Sequence, residues 1–285
     1  MPSKWLFISI GIILLGFVVA VLIGQRHERT RADRLVEMLR QSEPVSVIGA
    51  VNFSSFAELP APVALYFRHV LKDGQQIIKV AWMRQTGVLR TSTISNSWPS
   101  FTANQVVVPG APGLVWNAKV AMPLGTHVMV LDSYNCGTGS GRVSLLSALV
   151  VASESGAPEL NSGALHRYLA EGVWYPTALL PQSGVRWTTI NDRAALATLT
   201  DRGTTVSLEF RFNESGEVTS IYSSGRFGRF DGGYKQVPWE GHFRNYEVRS
   251  GMRVPTYGEV GWYDAGGLQV VWKGNLIDVQ YEFAP

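Results

Sequence analysis

The chain has a single cysteine, Cys136, and that scarcity sets the first limits. An intramolecular disulfide framework needs at least a pair, and thiolate metal sites need several. Charge is sparse as well. Only 16% of the 285 residues are Asp, Glu, Lys or Arg, and the net charge is +3. No dense Lys/Arg stripe appears, so nucleic acid is not an expected partner. The histidines, His27, His69, His127, His166 and His242, never pair at metal-ligand spacing, and no H-E-x-x-H occurs. No metal or other cofactor is expected. The stretch CGTGSGR, residues 136–142, lacks the Lys-Ser/Thr ending of a phosphate loop, the spacing of a dinucleotide loop and the G-x-S-x-G of a nucleophile elbow. It reads as a flexible hairpin connection. No repeat of fixed period is found.

Apolar residues are plentiful, at 46%, and 29 glycines and 14 prolines supply turns. One apolar run stands apart. WLFISIGIILLGFVVAVLIG, residues 5–24, carries no charge. At ~1.5 Å per residue it reaches about 30 Å, the thickness of bilayer hydrocarbon. It is longer than a signal-peptide core and has no small-x-small cleavage site near Gln25. Four segments follow from this: a tail over 1–4, a transmembrane helix over 5–24, a juxtamembrane helix and linker over 25–51, and one β-rich soluble domain over 52–285. Residues 5–24 thus make the chain a single-pass protein of the cell (inner) membrane, in contact with its lipid. Lys4 alone precedes the span, whereas Arg26, Arg29, Arg31, Arg34 and Arg40 follow it. That bias favours a cytoplasmic soluble domain, although a short basic N-tail also suits an uncleaved export anchor. In the juxtamembrane stretch Leu35, Met38 and Leu39 keep helical spacing among charged neighbours. It reads as a solvated helix or as an arginine-rich surface for anionic headgroups.

The soluble part is mainly β. LPAPVALYFRHVLKDG predicts a helix with Pro60 and Pro62 at its start and Val63, Phe67 and Val70 on one side. Strand periodicity then dominates. Val206, Leu208, Phe210 and Phe212 alternate with polar residues, as do Ile277, Val279, Tyr281 and Phe283, and Trp116, Ala118, Val120 and Met122. Similar runs lie near 76–84, 87–95, 103–108, 127–134, 142–151, 185–190, 194–200, 217–224, 241–248 and 258–263. About a dozen short strands and a few helices predict a large curved antiparallel sheet or half-barrel with packing helices, a β-rich α+β class.

One helical stretch interrupts the strands. In GALHRYLAEGVWYP, Leu165, Tyr168, Leu169, Gly172 and Val173 form an apolar stripe that should face the sheet. Arg167 and Glu171 stand at i, i+4, and Pro176 disfavours helix at Tyr175. Asp132 and Tyr134 share a strand face with Val128 and Val130. If that face is interior, Asp132 must be paired, and Arg167 is a suitable partner. Arg167, Tyr168, Glu171, Trp174, Tyr175, Asp132 and Tyr134 are therefore the candidate ligand-binding residues, at a cavity between helix and sheet. The eight tryptophans after the span are taken as sheet core and strand ends.

GALHRYLAEGVWYPTALLPQSGVRW, with WPSFTANQVVV, LVWNAKVAM and LTDRGTTVSLEFRFNESGEV, resembles an uncharacterised bacterial domain-of-unknown-function family from about Leu59 onward. The R-Y-L-x-E-x-x-W-Y-P-T-A-L-L-P signature carries the resemblance. Gly172 stands where a helix-favouring alanine would be expected, so a bend is anticipated there. In architecture the chain is also similar to lipoprotein-carrier half-barrels, which hold acyl chains. Three functions remain open at this point. The first is a membrane-anchored binding module for a lipid or other apolar ligand. The second is a hydrolase-like enzyme using Glu171 or Asp132 with Arg167. The third is a structural or interaction protein of the envelope with an unidentified protein partner. The absence of a catalytic constellation leans away from an enzyme.

Overall fold

The computed structural model describes residues 2–42, 49–90 and 96–284. Helix α1 (Pro2–Arg40) is followed by a short 3-10 turn (Phe53–Glu58) and helix α2 (Ala61–Val70). Six strands come next: β1 (Ile78–Leu89), β2 (Ser100–Val108), β3 (Gly113–Ala121), β4 (His127–Asn135), β5 (Thr138–Leu145) and β6 (Leu149–Ser155). Helix α3 (Pro158–Glu171) separates them from β7 (Arg186–Asn191), β8 (Ala194–Asp201), β9 (Thr204–Phe212), β10 (Val218–Phe230), β11 (Gly233–Arg249), β12 (Met252–Asp264) and β13 (Gly267–Phe283).

The strands form one antiparallel sheet in the order β6-β5-β4-β3-β2-β1-β13-β12-β11-β10-β9-β8-β7. Two meanders are therefore sewn together at the centre, where β1 pairs with the last strand, β13. The mainly-β class and the curved antiparallel sheet expected from the sequence are what the chain adopts. The inner face carries the main core, and alternation is clean where expected: Val206, Leu208, Phe210 and Phe212 are buried between partly exposed neighbours. Helix α3 touches β4 and β5 on one side and β9 and β10 on the other. Those pairs stand on opposite sides of the β1–β13 seam, so the sheet must curl for both to reach the helix. The curl is fastened at the strand tips. Tyr134 Oη donates to Asp201 Oδ2 at 2.7 Å, and Arg229 of β10 pairs with Glu154 of β6. Among the described residues no further strand pairs with edges β6 and β7, leaving an open half-barrel.

Several local expectations change. The runs near 76–84 and 87–95 are not two strands; β1 is continuous across them, and residues 91–95 lie outside the described residues. Opposite β1 the register slips between Arg84↔Asp278 and Gln85↔Leu276. The skipped residue, Ile277, is turned outward, and Leu276 takes its place in the core. A bulge of this kind shifts side-chain parity by one. Met122 falls past the end of β3 and is exposed rather than continuing its apolar face. CGTGSGR is no loose connection. Cys136 and Gly137, both at positive φ, make the two-residue turn, and β5 begins at Thr138. Gly139 lies so close to α3 that a Cβ there would meet Leu160 O at 2.8 Å.

The juxtamembrane stretch also differs from expectation. It is neither a separate helix nor solvated all round. Helix α1 runs unbroken for 39 residues and lays its second half on the outer face of the sheet. Ala32, Leu35, Val36 and Leu39 pack on Val80, Val106, Val108, Val115 and Leu131, while Met38 faces outward. Leu39 needs Gly113 opposite it, where a Cβ would stand 2.3 Å from Leu39 Cδ1. Residues 43–48 of the expected linker lie outside the described residues. In α2, Val63, Phe67 and Val70 are buried as anticipated, with Tyr66 beside them.

Candidate functional site

Helix α3 owes its position to its apolar stripe. Leu165, Tyr168, Leu169, Gly172 and Val173 are all buried against the sheet. The α-helix ends at Glu171 and tightens into a 3-10 turn over Gly172–Trp174. The anticipated bend at Gly172 is this change of helix type. Alanine would not fit: a Cβ at Gly172 would stand 2.5 Å from Leu179 Cδ2.

The aromatic corner beyond is tied to backbone. Tyr175 Oη donates to Tyr168 O (2.7 Å), Tyr168 Oη to Pro109 O (3.2 Å), and Trp174 Nε1 to Pro255 O (3.0 Å). A buried phenol or indole with its donor satisfied is structural packing. Tyr134, Tyr168 and Tyr175 accordingly form no part of the walls of the two cavities that flank α3.

Asp132, Arg167, Glu171 and Trp174 do line the inner cavity, a space of about 320 Å³ between α3 and the sheet. Five tryptophans wall it, Trp116, Trp174, Trp239, Trp262 and Trp272, with Ile221, Phe243 and Val260. A wider, more polar cavity of about 660 Å³ adjoins it between the start of α3, β4–β6 and β10. Asp132, Arg167 and Arg226 belong to both, so the charged cluster stands between the two spaces.

Arg167 is the hub of that cluster. Its Nε donates to Glu171 Oε1 at 2.6 Å and its Nη1 to Asp132 Oδ2 at 3.0 Å. The strand-to-helix tie expected of Asp132 is thus present. The guanidinium also lies 4.8 Å from the Trp116 ring centroid. A polar chain extends away from it. Gln105 Nε2 donates to Glu171 Oε2, Gln85 Nε2 donates to Gln105 Oε1 (3.0 Å), and Trp116 Nε1 donates to Gln85 Oε1 (2.9 Å). Both Glu171 oxygens are therefore engaged by donors.

Burial raises the pKa of Asp132 above the ordinary carboxylate range, and the adjacent Arg167 opposes the shift without cancelling it. The 37% of its side-chain surface that remains accessible faces the cavities. Arg226 stacks between Trp239 (4.6 Å) and Trp262 (5.3 Å) and donates from Nη2 to Gly163 O. Burial, and next the charge of Arg167, push its pKa down to about 10. Arg226 Nε and Trp239 Nε1 are buried without a hydrogen-bond acceptor among the described residues. The cavity therefore combines aromatic walls with a buried cation and spare donors, an arrangement suited to an apolar body carrying one polar or anionic end.

The sequence reading missed Gln85, Gln105, Arg226 and the gathering of tryptophans. A signal existed for the glutamines: each stands on the apolar parity of its strand, after Ala81 and Met83 or after Phe101 and Ala103. Arg226 escaped because the strand over 217–224 runs on to Phe230.

No curated protein matches the chain. Among solved structures it is similar to a LolA-superfamily protein from Nitrosomonas europaea, at 13% identity and a TM-score of 0.38, covering 83% of this chain and 96% of that one. It is also similar to a porin-like protein from Bacteroides uniformis, at 7% identity and a TM-score of 0.22, covering 73% of this chain and 98% of that one. The model of the family of unknown function DUF6920 matches residues 57–281, most of the chain, so the protein belongs to that family.

Proposed function

We propose that the protein is a membrane-anchored binding module for a lipid or another apolar ligand, held in the cavity between α3 and the sheet. The observation that carries this reading is the cavity wall itself: five tryptophans around about 320 Å³, with Arg226 and Arg167 at one side. The volume is within the range of small-molecule sites. An acyl or other apolar body would lie along the indoles, and an acidic end would meet Arg226, whose charge burial has left poorly compensated. The anchor is α1, which contains a segment of mean hydropathy 2.9 with none of it buried in the protein. The arginines that follow the apolar run favour a cytoplasmic soluble domain.

The test uses the full chain in lipid nanodiscs titrated with a brominated fatty acid, which quenches nearby indoles. Saturable quenching is expected in the native protein and should be lost in Val260→Phe, which fills the cavity wall. Native protein that shows no saturable quenching, and whose organic extract holds no ligand by mass spectrometry, overturns the proposal.

A further inference from the structure

The apolar run of α1 ends at Gly24, and the helix continues directly onto the sheet. Gln25 Nε2 donates to Leu146 O at 3.0 Å, Glu28 holds Arg142 through two hydrogen bonds (2.8 and 2.9 Å), and Ser42 Oγ donates to Asn135 Oδ1 at 2.8 Å. The helix thus starts beside β5 and crosses the outer face over β4, β3 and β2, from the end that carries His127 and Leu145 to the end that carries Asn135 and Thr138. Gly24 is level with the β5–β6 turn and in contact with it. A Cβ on Gly24 would stand 2.7 Å from Ala148 Cβ. The β3–β4 connection lies at the same end, joined through His127 Nε2 and Ser147 Oγ (2.8 Å).

These two tips are apolar and bare. Leu124 is 100% exposed, Leu149 64% and Val151 57%, with Met122 and Val150 also exposed. Apolar side chains gathered at one end of a fold mark a contact with something apolar. Just beyond them Arg29, Lys119 and His127 line a polar groove of about 380 Å³ between α1 and the outer face of the sheet. Arg29 is five residues past Gly24, or about 7 Å along the helix. The headgroup layer is roughly 5–7 Å deep on each side of the hydrocarbon.

We infer that the β3–β4 and β5–β6 tips are sunk in the bilayer beside the anchor. Leu124 and Leu149 lie among the upper acyl segments, and the Arg29–Lys119 groove, with Val150 and Val151 in register beside Lys119, sits at the level of the lipid headgroups. The partner is the lipid surface itself, and the inference rests on α1 being a membrane span. The rigid helix sets the depth. Once Gly24 is placed at the hydrocarbon boundary, its contact with Ala148 brings the tips to the same plane.

The experiment uses the full chain in nanodiscs of phosphatidylcholine and phosphatidylglycerol. An environment-sensitive fluorophore is attached to one cysteine at a time: native Cys136, or Leu22→Cys, Leu124→Cys or Val151→Cys in a Cys136→Ser background. Nitroxide-bearing phospholipid is the quencher. Probes at 22, 124 and 151 should lose most of their emission. The probe at 136, at the far end of the sheet beside Ser42, should keep it. Quenching at 22 with none at 124 and 151 overturns the tip placement and leaves the span intact. So does a probe at 151 shielded from lipid and water alike, the mark of a second copy on edge β6. No quenching at 22 removes the span, and the tip placement with it.

Discussion

Gly172 and Leu179 are in contact across the end of α3, with no room for a β-carbon between them: a Cβ at 172 would come within 2.5 Å of Leu179 Cδ2 and 2.7 Å of Cγ. Leu179 is itself buried and cannot swing aside. Gly172→Ala should therefore destabilise the domain by about 1–3 kcal/mol through overpacking. Helix propensity alone predicts the opposite sign, by up to ~1 kcal/mol. Urea unfolding in detergent micelles, followed by tryptophan fluorescence, distinguishes the two.

Arg167→Met removes the hub of the charged cluster and leaves Asp132 and Glu171 facing each other. Because 37% of the Asp132 side chain stays accessible, breaking these pairs from one side should cost less than a fully buried pair, about 1–3 kcal/mol. Asp132→Asn should cost clearly less. Burial already raises the pKa of that carboxyl, and a neutral amide keeps an acceptor for Arg167 without placing a charge in the site. Parallel thermal melts of the two variants should rank them in that order, and equal losses would refute the assignment of Arg167 as the hub.

His166 is buried on α3 with Nδ1 at 2.9 Å from Ser162 O. Burial, and next Arg226, lower its pKa from 6.5 to about 4. Between those values the unfolded chain binds the proton more readily than the folded one. Stability should be unaffected by this group above pH 6.5 and should fall as pH drops toward 4, by on the order of 3 kcal/mol. His166→Gln should flatten that slope between pH 6.5 and 4 in unfolding experiments.

Cys136 is exposed at the β4–β5 turn and is the sole thiol in the sequence. With the soluble domain in the cytoplasm, a membrane-impermeant maleimide should label it only after cells are permeabilised. Full labelling on intact cells would reverse the orientation.

Much of the sheet was legible because period-2 alternation survives wherever one face meets the core and the other meets water, as in Val206–Phe212. It failed where pairing, not the strand's own sequence, decides which way a side chain points. Ile277 continues the apolar alternation perfectly, and only its partner strand imposes the slip that turns it outward. The candidate span was legible as the uninterrupted apolar run over 5–24. The docking of Ala32 and Leu39 was not, since a narrow stripe among arginines looks the same whether it meets a sheet or water. At the site, the Asp132–Arg167 tie followed from parity plus helix spacing. The tryptophan wall did not, because Trp116, Trp239 and Trp272 come from strands far apart in sequence that meet only after the sheet curls.

The seam between β1 and β13 has a consequence for biogenesis. β1 is the first strand of the sheet to be made, yet β13, which joins it to the other meander, is made after the other twelve. Throughout translation the nascent domain must carry an unfilled central slot, with β1 and β12 each offering a bare edge. Closure waits for β13. A chain cut in the stretch that includes Val279 and Tyr281, which pair with Met83 and Ala81, would be unable to complete its sheet.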